Sequence, residues 1–169
     1  IPKSDRCRAY LSDLEKLPLD AKSVDTIISL AGLHHAENKL AIFQEMHRLL
    51  KPGGRLCVAD VREGSEVDEF LNIFVNQYNS SGHEGVFINN EFRQLIEKAG
   101  FDIILDKPFG YSWAFSSKEE MARYCKLLFG IDLGSVDEVL DGIEKYLGYE
   151  EVDGLCQLNW ELEFLNCLK

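Results

Sequence analysis

Apolar and polar positions change period several times along this chain, and the changes mark its elements. Val24 to Leu30 is a short run rich in Val, Ile and Thr, followed by Ala-Gly. Such a run suits a strand buried on both faces, although by itself it also fits a buried helix segment. From Glu37 the period becomes helical: Leu40, Phe43, Met46, His47 and Leu50 share one face, while Lys39, Gln44, Glu45 and Arg48 lie elsewhere. Pro52 disfavours helical geometry at Lys51 and lacks an amide proton, so the helix is expected to stop near Leu50. Gly53-Gly54 turns the chain, and Leu56 to Ala59 gives a second apolar run closed by Asp60. Two buried strands joined by one helix most simply form a right-handed βαβ unit of parallel sheet.

On either side the pattern is plainer. Cys7 to Leu11 reads as an earlier strand closed by Ser12-Asp13, and Leu14 to Lys22 as a polar loop. Glu66 to Tyr78 reads as a helix with Phe70, Leu71, Ile73, Phe74 and Tyr78 on a broad apolar face, followed by a loop from Asn79 to Gly85. Asn89 or Asn90 can cap a helix from Glu91 to Ala99 that ends at Gly100. Phe101 to Leu105 is a strand with Asp106-Lys107-Pro108 after it, and Trp113 to Phe115 reads as a strand end. Ser116 to Glu120 resembles a capping box opening a helix to about Phe129, and Ser135 opens another to Tyr146 with an acidic first turn. Glu150 to Asp153 reads as a solvated loop, and Cys156 to Leu168, which alternates imperfectly, as a closing strand. With no repeat and no linker, 169 residues imply one domain. Ile1 to Arg6 has no clear period and no initiator Met, so the chain is expected to begin inside a longer protein.

Charge and composition narrow the functional classes. A formal net charge of −11 without a basic stripe argues against nonspecific nucleic-acid binding and against adhesion to anionic membranes. The five cysteines are scattered and form no CxxC pair, so a zinc site is not expected and reduced cytoplasmic thiols are. Cys57, inside an apolar run, reads as a small core residue. No signal peptide or apolar run of membrane length is present, which implies a soluble protein.

Several pieces carry a family resemblance through their order and spacing. They are Ser12-Asp13-Leu14-Glu15-Lys16-Leu17-Pro18, the Val24 to Ser29 strand, the Leu33-His34-His35 loop, and Leu50-Lys51-Pro52-Gly53-Gly54-Arg55-Leu56. Together they resemble the middle of a class I S-adenosylmethionine-dependent methyltransferase of the branch acting on small molecules. The likeness continues more weakly from Phe87 to Phe101. It implies an α/β, Rossmann-like, doubly wound and mostly parallel sheet with an antiparallel last strand, its N-terminal strands missing from this sequence. The glycine-rich first loop of the family, and the acidic residue ending its second strand, have no match here. By resemblance the chain therefore starts just before the third strand. Either an N-terminal half lies outside it, or it is a decayed or partner-completed relative.

The resemblance also implies S-adenosylmethionine as cofactor and a small-molecule substrate. Asp13 matches the carboxylate that accepts from the adenine amino group, with the Leu14 amide offered to the ring. Ser29, Leu30 and Ala31 match the loop lining the cofactor. Read from the residues alone, Asp13 favours a turn and Ser29 to Ala31 precede a helix. His34 and His35 sit at the carboxyl edge of a central strand, where one of them, His35 before His34, can act as a general base and the other meet the substrate. The plain alternative is a histidine packing under the helix. A metal site is not expected from the pair, because adjacent side chains diverge and no third ligand stands out. Asp60 faces the substrate or accepts backbone amides, Tyr78 is pocket or core, and His83 is solvated or catalytic. Trp113 and Phe115 contact an apolar substrate or are buried.

Three readings follow. The first is methyl transfer to O, N, S or C of a small molecule. The second is a non-catalytic methyltransferase-like fragment or subunit that binds a partner protein. The third, a nicotinamide-dependent oxidoreductase, lacks a GxGxxG. A homo-oligomer is compatible with the first two.

Overall fold

In the computed structural model, which describes residues 7–169, β1 (Val24–Leu30) and β2 (Leu50–Asp60) pair in parallel and are joined by α1 (Lys39–Leu49). The expectation for Ile1 to Arg6 lies outside the described residues. Asn38 caps α1 by accepting the Ala41 amide at 3.3 Å. The helix buries Ile42, Phe43, Met46 and Leu49, and it also buries Glu45, which the apolar pattern placed elsewhere. That carboxylate accepts the Leu17 amide at 2.8 Å and Arg48 Nε at 2.7 Å, and Arg48 donates in turn to the Leu19 carbonyl at 2.9 Å. The polar loop before β1 is thereby strapped to α1. Between the pairs Val24–Leu50 and Thr26–Arg55 the register shifts, and residues 51–54 bulge out with Gly53 at φ 76°.

Two expectations fail here. Val24 to Leu30 is a strand but is not buried on both faces: Ile28 is 76% and Leu30 68% exposed. Among the described residues β1 pairs only with β2, so it is a sheet edge. Cys7 makes an isolated bridge, and residues 8–11 form no strand and are exposed.

The sheet order is β1-β2-β5-β3, with β3 (Asp102–Phe115) and the short β4 (Tyr149–Val152) both pairing with β5 (Leu155–Leu168). β5 is antiparallel to β2, β3 and β4, so the other four strands run one way and the last runs against them. This is the expected mixed α/β sheet. β3 does not stop at Leu105 but continues through Pro108. Among the described residues it pairs only with β5, and an edge strand is where a residue without an amide proton is tolerated. β4 replaces the expected acidic loop. Asp153 and Gly154, at φ 52° and 77°, make the two-residue turn of a hairpin, a signal that Asp-Gly carries in the sequence.

The helix expected from Glu66 to Tyr78 is continuous: α2 (Glu66–Glu69), a π-helical stretch Phe70–Val75, and α3 (Asn76–Tyr78). Then come α4 (Asn90–Lys98), α5 (Lys118–Leu128) and α6 (Val136–Tyr146), capped by Asn89, Ser117 and Ser135. The imperfect alternation of β5 has a simple cause. Cys156, Leu158, Trp160 and Leu162 are buried against α2–α3, α5 and α6, whereas Glu163, Leu165 and Cys167 are buried on the opposite face, the last two against α1 and α4. The strand thus changes its buried face at Leu162/Glu163. Where no helix follows, the sheet is open, and Leu30, Leu105 and Phe109 lie exposed along a broad apolar depression of about 700 Å³. Among the described residues no helix is long and apolar enough to cross a membrane.

Candidate active site

The carboxyl ends of β1 and β2 lie side by side, Leu30 opposite Ala59. Ala31 donates its amide to the Ala59 carbonyl at 2.8 Å and takes φ 47°, a left-handed conformation that β-branched residues resist. A single 3₁₀ turn, Leu33–His35, follows. Its anchor is Asp60, 1% exposed, whose carboxylate accepts the amides of Leu33 (3.0 Å), His34 (3.3 Å) and Val61 (2.9 Å). The same carboxylate meets His34 Nδ1 at 2.7 Å. A carboxylate accepts, so Nδ1 carries a proton, an assignment made from the hydrogen-bond network. Of the two roles open to it Asp60 takes the amide-accepting one, and it also orients a ring.

The loop after α3 brings in a third imidazole. Asn76 Oδ1 accepts the His83 amide at 2.7 Å, and Asn72 Oδ1 accepts the Gly85 amide at 2.8 Å while lying 3.2 Å from His83 Nδ1. The Val86 amide closes the loop on the His34 carbonyl at 3.0 Å. At Gly85 a Cβ would stand 2.6 Å from the Phe87 ring and 3.2 Å from the His34 ring, so only a glycine lets the loop lie this close. Ring centroids are 4.0 Å apart for His34–His35, 5.3 Å for His35–His83 and 5.9 Å for His34–His83. Contrary to expectation, the adjacent rings do not diverge, because the tight turn holds them in contact at an interplanar angle of 53°, and His83 is half-buried beside them rather than solvated. Burial first, and the neighbouring imidazoles second, push His35 and His83 below the usual histidine range. Both are neutral near pH 7.

The histidines border a cavity of about 430 Å³ whose other walls include Leu30, Ala31, Tyr111, Trp113, Phe129 and Trp160. Trp113 and Trp160 stack at 4.7 Å, and Phe129 lies 5.6 Å from Trp160 at an interplanar angle of 11°. The structure therefore brings together His34, His35, Asp60, Leu30, Ala31 and Trp113. Ser29 is half-buried one residue further back in β1. Tyr78 is elsewhere: it packs on Phe74, ring centroids 4.8 Å apart, within the helical layer. Phe115 packs against that layer too.

Asp13 and Leu14 are exposed on the strapped loop. Asp13 Oδ1 accepts the Glu15 amide at 2.9 Å, the turn-forming contact expected of an aspartate there. Among the described residues no acceptor takes the Leu14 amide, which leaves it available to a ring nitrogen. These donors and acceptors fit one flank of the expected cofactor: a carboxylate and an amide for adenine, and a small residue at the end of β1. The sequence pattern did not single out Phe129 or Trp160 for the site, and it placed His83 in solvent rather than here. For His83 a signal existed, since Gly82 and Gly85 bracket it in a segment free of apolar periodicity.

Comparison with known proteins points the same way. A family model described as a methyltransferase domain matches residues 2–58. Methyltransferase GfsG of Streptomyces halstedii is 31% identical over 102 residues, which is 59% of this chain and 36% of that protein. The chain thus spans about a third of that relative's length. The YcgJ protein of Bacillus subtilis superposes with TM-score 0.59 at 16% identity, over 94% of this chain and 69% of that one. The [4+2]-cyclase SpnF superposes with TM-score 0.56 at 18% identity, over 95% and 54%. At these identities the structural likeness establishes the fold.

Proposed function

From its kinship with the class I S-adenosylmethionine-dependent methyltransferases, we propose that this chain is part of an enzyme transferring a methyl group from S-adenosylmethionine to a small-molecule acceptor. The observation that carries the reading is the placement of three histidines and an aromatic cavity at the carboxyl ends of β1 and β2, where open α/β sheets take their ligands. The cofactor supplies an electrophilic methyl group, and the chain supplies position, desolvation and a proton acceptor. Asp13 accepts from the adenine amino group, the Leu14 amide meets the ring, and Ser29, Leu30 and Ala31 line the methionine side. An apolar acceptor rests on Trp113 and Trp160 with its nucleophilic O, N or S turned to the histidines. His35, neutral at pH 7, takes the proton as the nucleophile bonds to the methyl carbon and the carbon–sulfur bond breaks to release S-adenosylhomocysteine, while His34, fixed by Asp60, orients the acceptor.

Calorimetric titration of the full-length protein with S-adenosylhomocysteine tests this. Saturable binding is expected, with His35→Asn keeping that affinity and lowering kcat by roughly 10²–10⁴-fold. A folded full-length protein that does not bind removes the reading. The open apolar face around Leu30, Leu105 and Phe109 favours a non-catalytic, partner-binding subunit as the second reading. A folded protein without cofactor binding that co-elutes with a second chain would establish it.

A further inference from the structure

The histidine cluster has a geometry that proton transfer alone does not require. One nitrogen from each of His34, His35 and His83 lies within 4.8 Å of the others. Three imidazoles bound to a tetrahedral zinc ion, with Zn–N of about 2.0–2.1 Å, hold their nitrogens roughly 3.3 Å apart. The difference is within reach of side-chain rotation, since His35 is exposed and His83 is on a loop. Each outer member of the cluster already has the support a metal ligand needs. His34 gives its Nδ1 to buried Asp60 at 2.7 Å, and His83 has its Nδ1 3.2 Å from Asn72 Oδ1, so both can present Nε2 to a common point. Such a carboxylate or amide behind an imidazole fixes its tautomer and raises its basicity toward a metal. Among the described residues no fourth His, Cys, Asp or Glu joins the cluster, and the cavity beside it is walled mainly by aromatic and aliphatic side chains, so a fourth position faces the acceptor site.

The geometry points to a divalent transition-metal site, zinc by its all-imidazole ligand set, formed by His34, His35 and His83 with Asp60 and Asn72 behind them. The site goes beyond the proposed methyl transfer, and its occupancy does not depend on that reading. Where both hold, the acceptor's oxygen or sulfur takes the fourth position and loses its proton to solvent on coordination. The metal-bound anion then attacks the methyl carbon in place of a His35-activated nucleophile, and the carbon–sulfur bond breaks with its electron pair going to sulfur, so that S-adenosylhomocysteine leaves.

The test uses the full-length protein and Co²⁺ alone, read by its visible d–d absorption, with Zn²⁺ competition by calorimetry. One equivalent is expected, with bands of tetrahedral intensity abolished by excess Zn²⁺. His83→Ala is expected to weaken binding at least 10-fold with an unchanged far-ultraviolet circular dichroism spectrum. Asn72→Ala, which leaves all three ligands in place, is expected to weaken it by about 10-fold. His83→Gln serves if the alanine variant does not fold. Absence of saturable binding in the folded protein overturns the proposal, as does binding undiminished by loss of the His83 imidazole. Co²⁺ binding is read without cofactor, so its failure and a failure to bind S-adenosylhomocysteine are separate results.

Discussion

Asp60 collects three backbone amides and one imidazole in a place without water access, so its removal leaves those donors unpaired. Asp60→Ala is expected to cost about 3–5 kcal/mol, measured by urea unfolding, because breaking a buried pair strands its partner. A loss below about 1 kcal/mol would mean that the 3₁₀ turn holds without it. Glu163 has the opposite character. Burial first, and the Asp106 carboxylate next, push it up to about 7, with Arg93 and Arg62 pulling against them. A carboxyl raised in the folded state contributes stability fully present below its unfolded value of about 4.3 and lost as pH rises through 7. Melting temperatures of the wild type and Glu163→Gln should therefore converge or cross between pH 4.5 and 8, the wild type losing ground as pH rises. Parallel curves would show that Glu163 is ionised throughout. Neither environment is legible in sequence, where both are acidic residues in apolar strands. Burial and partners are set by elements tens of residues away.

At the scale of elements, helix starts were the most legible feature, because a cap is a local contact. Ser135 opens its helix as expected, and it and Glu138 also bond each other's backbone amides. Packing between helices was not legible. Gly142 faces Phe74, and a Cβ there would lie 2.5 Å from the ring. Gly142→Ala gains up to about 1 kcal/mol of helix propensity but overpacks a buried contact at about 1–3 kcal/mol. A net loss near 1 kcal/mol is expected, relieved in the double variant with Phe74→Leu. A net gain would show that the ring moves aside. The strap between α1 and the preceding loop has its own measurement. Glu45→Ala frees the Leu17 amide, whose hydrogen exchange should rise while that of the α1 interior stays protected. Equal protection before and after would deny Glu45 that role.

For the molecule as a whole, β5 is the shared member of two cores on opposite faces of the sheet. Both tryptophans belong to the core built with α5 and α6, so fluorescence reports that half and far-ultraviolet circular dichroism reports both. Coincident urea transitions are expected, since neither core survives loss of β5. A tryptophan transition displaced from the dichroism would mean that the halves unfold separately. By itself the sequence determined the βαβ unit and the helix starts, which local period and caps encode, and it placed the two adjacent histidines just after β1. Only the tertiary structure decided that β1 is an edge and that β5 changes face, because these depend on which helix covers which side. It alone also set Asp60 behind His34 and carried His83 across to them, a meeting of β2 with the loop after α3 that no local periodicity encodes.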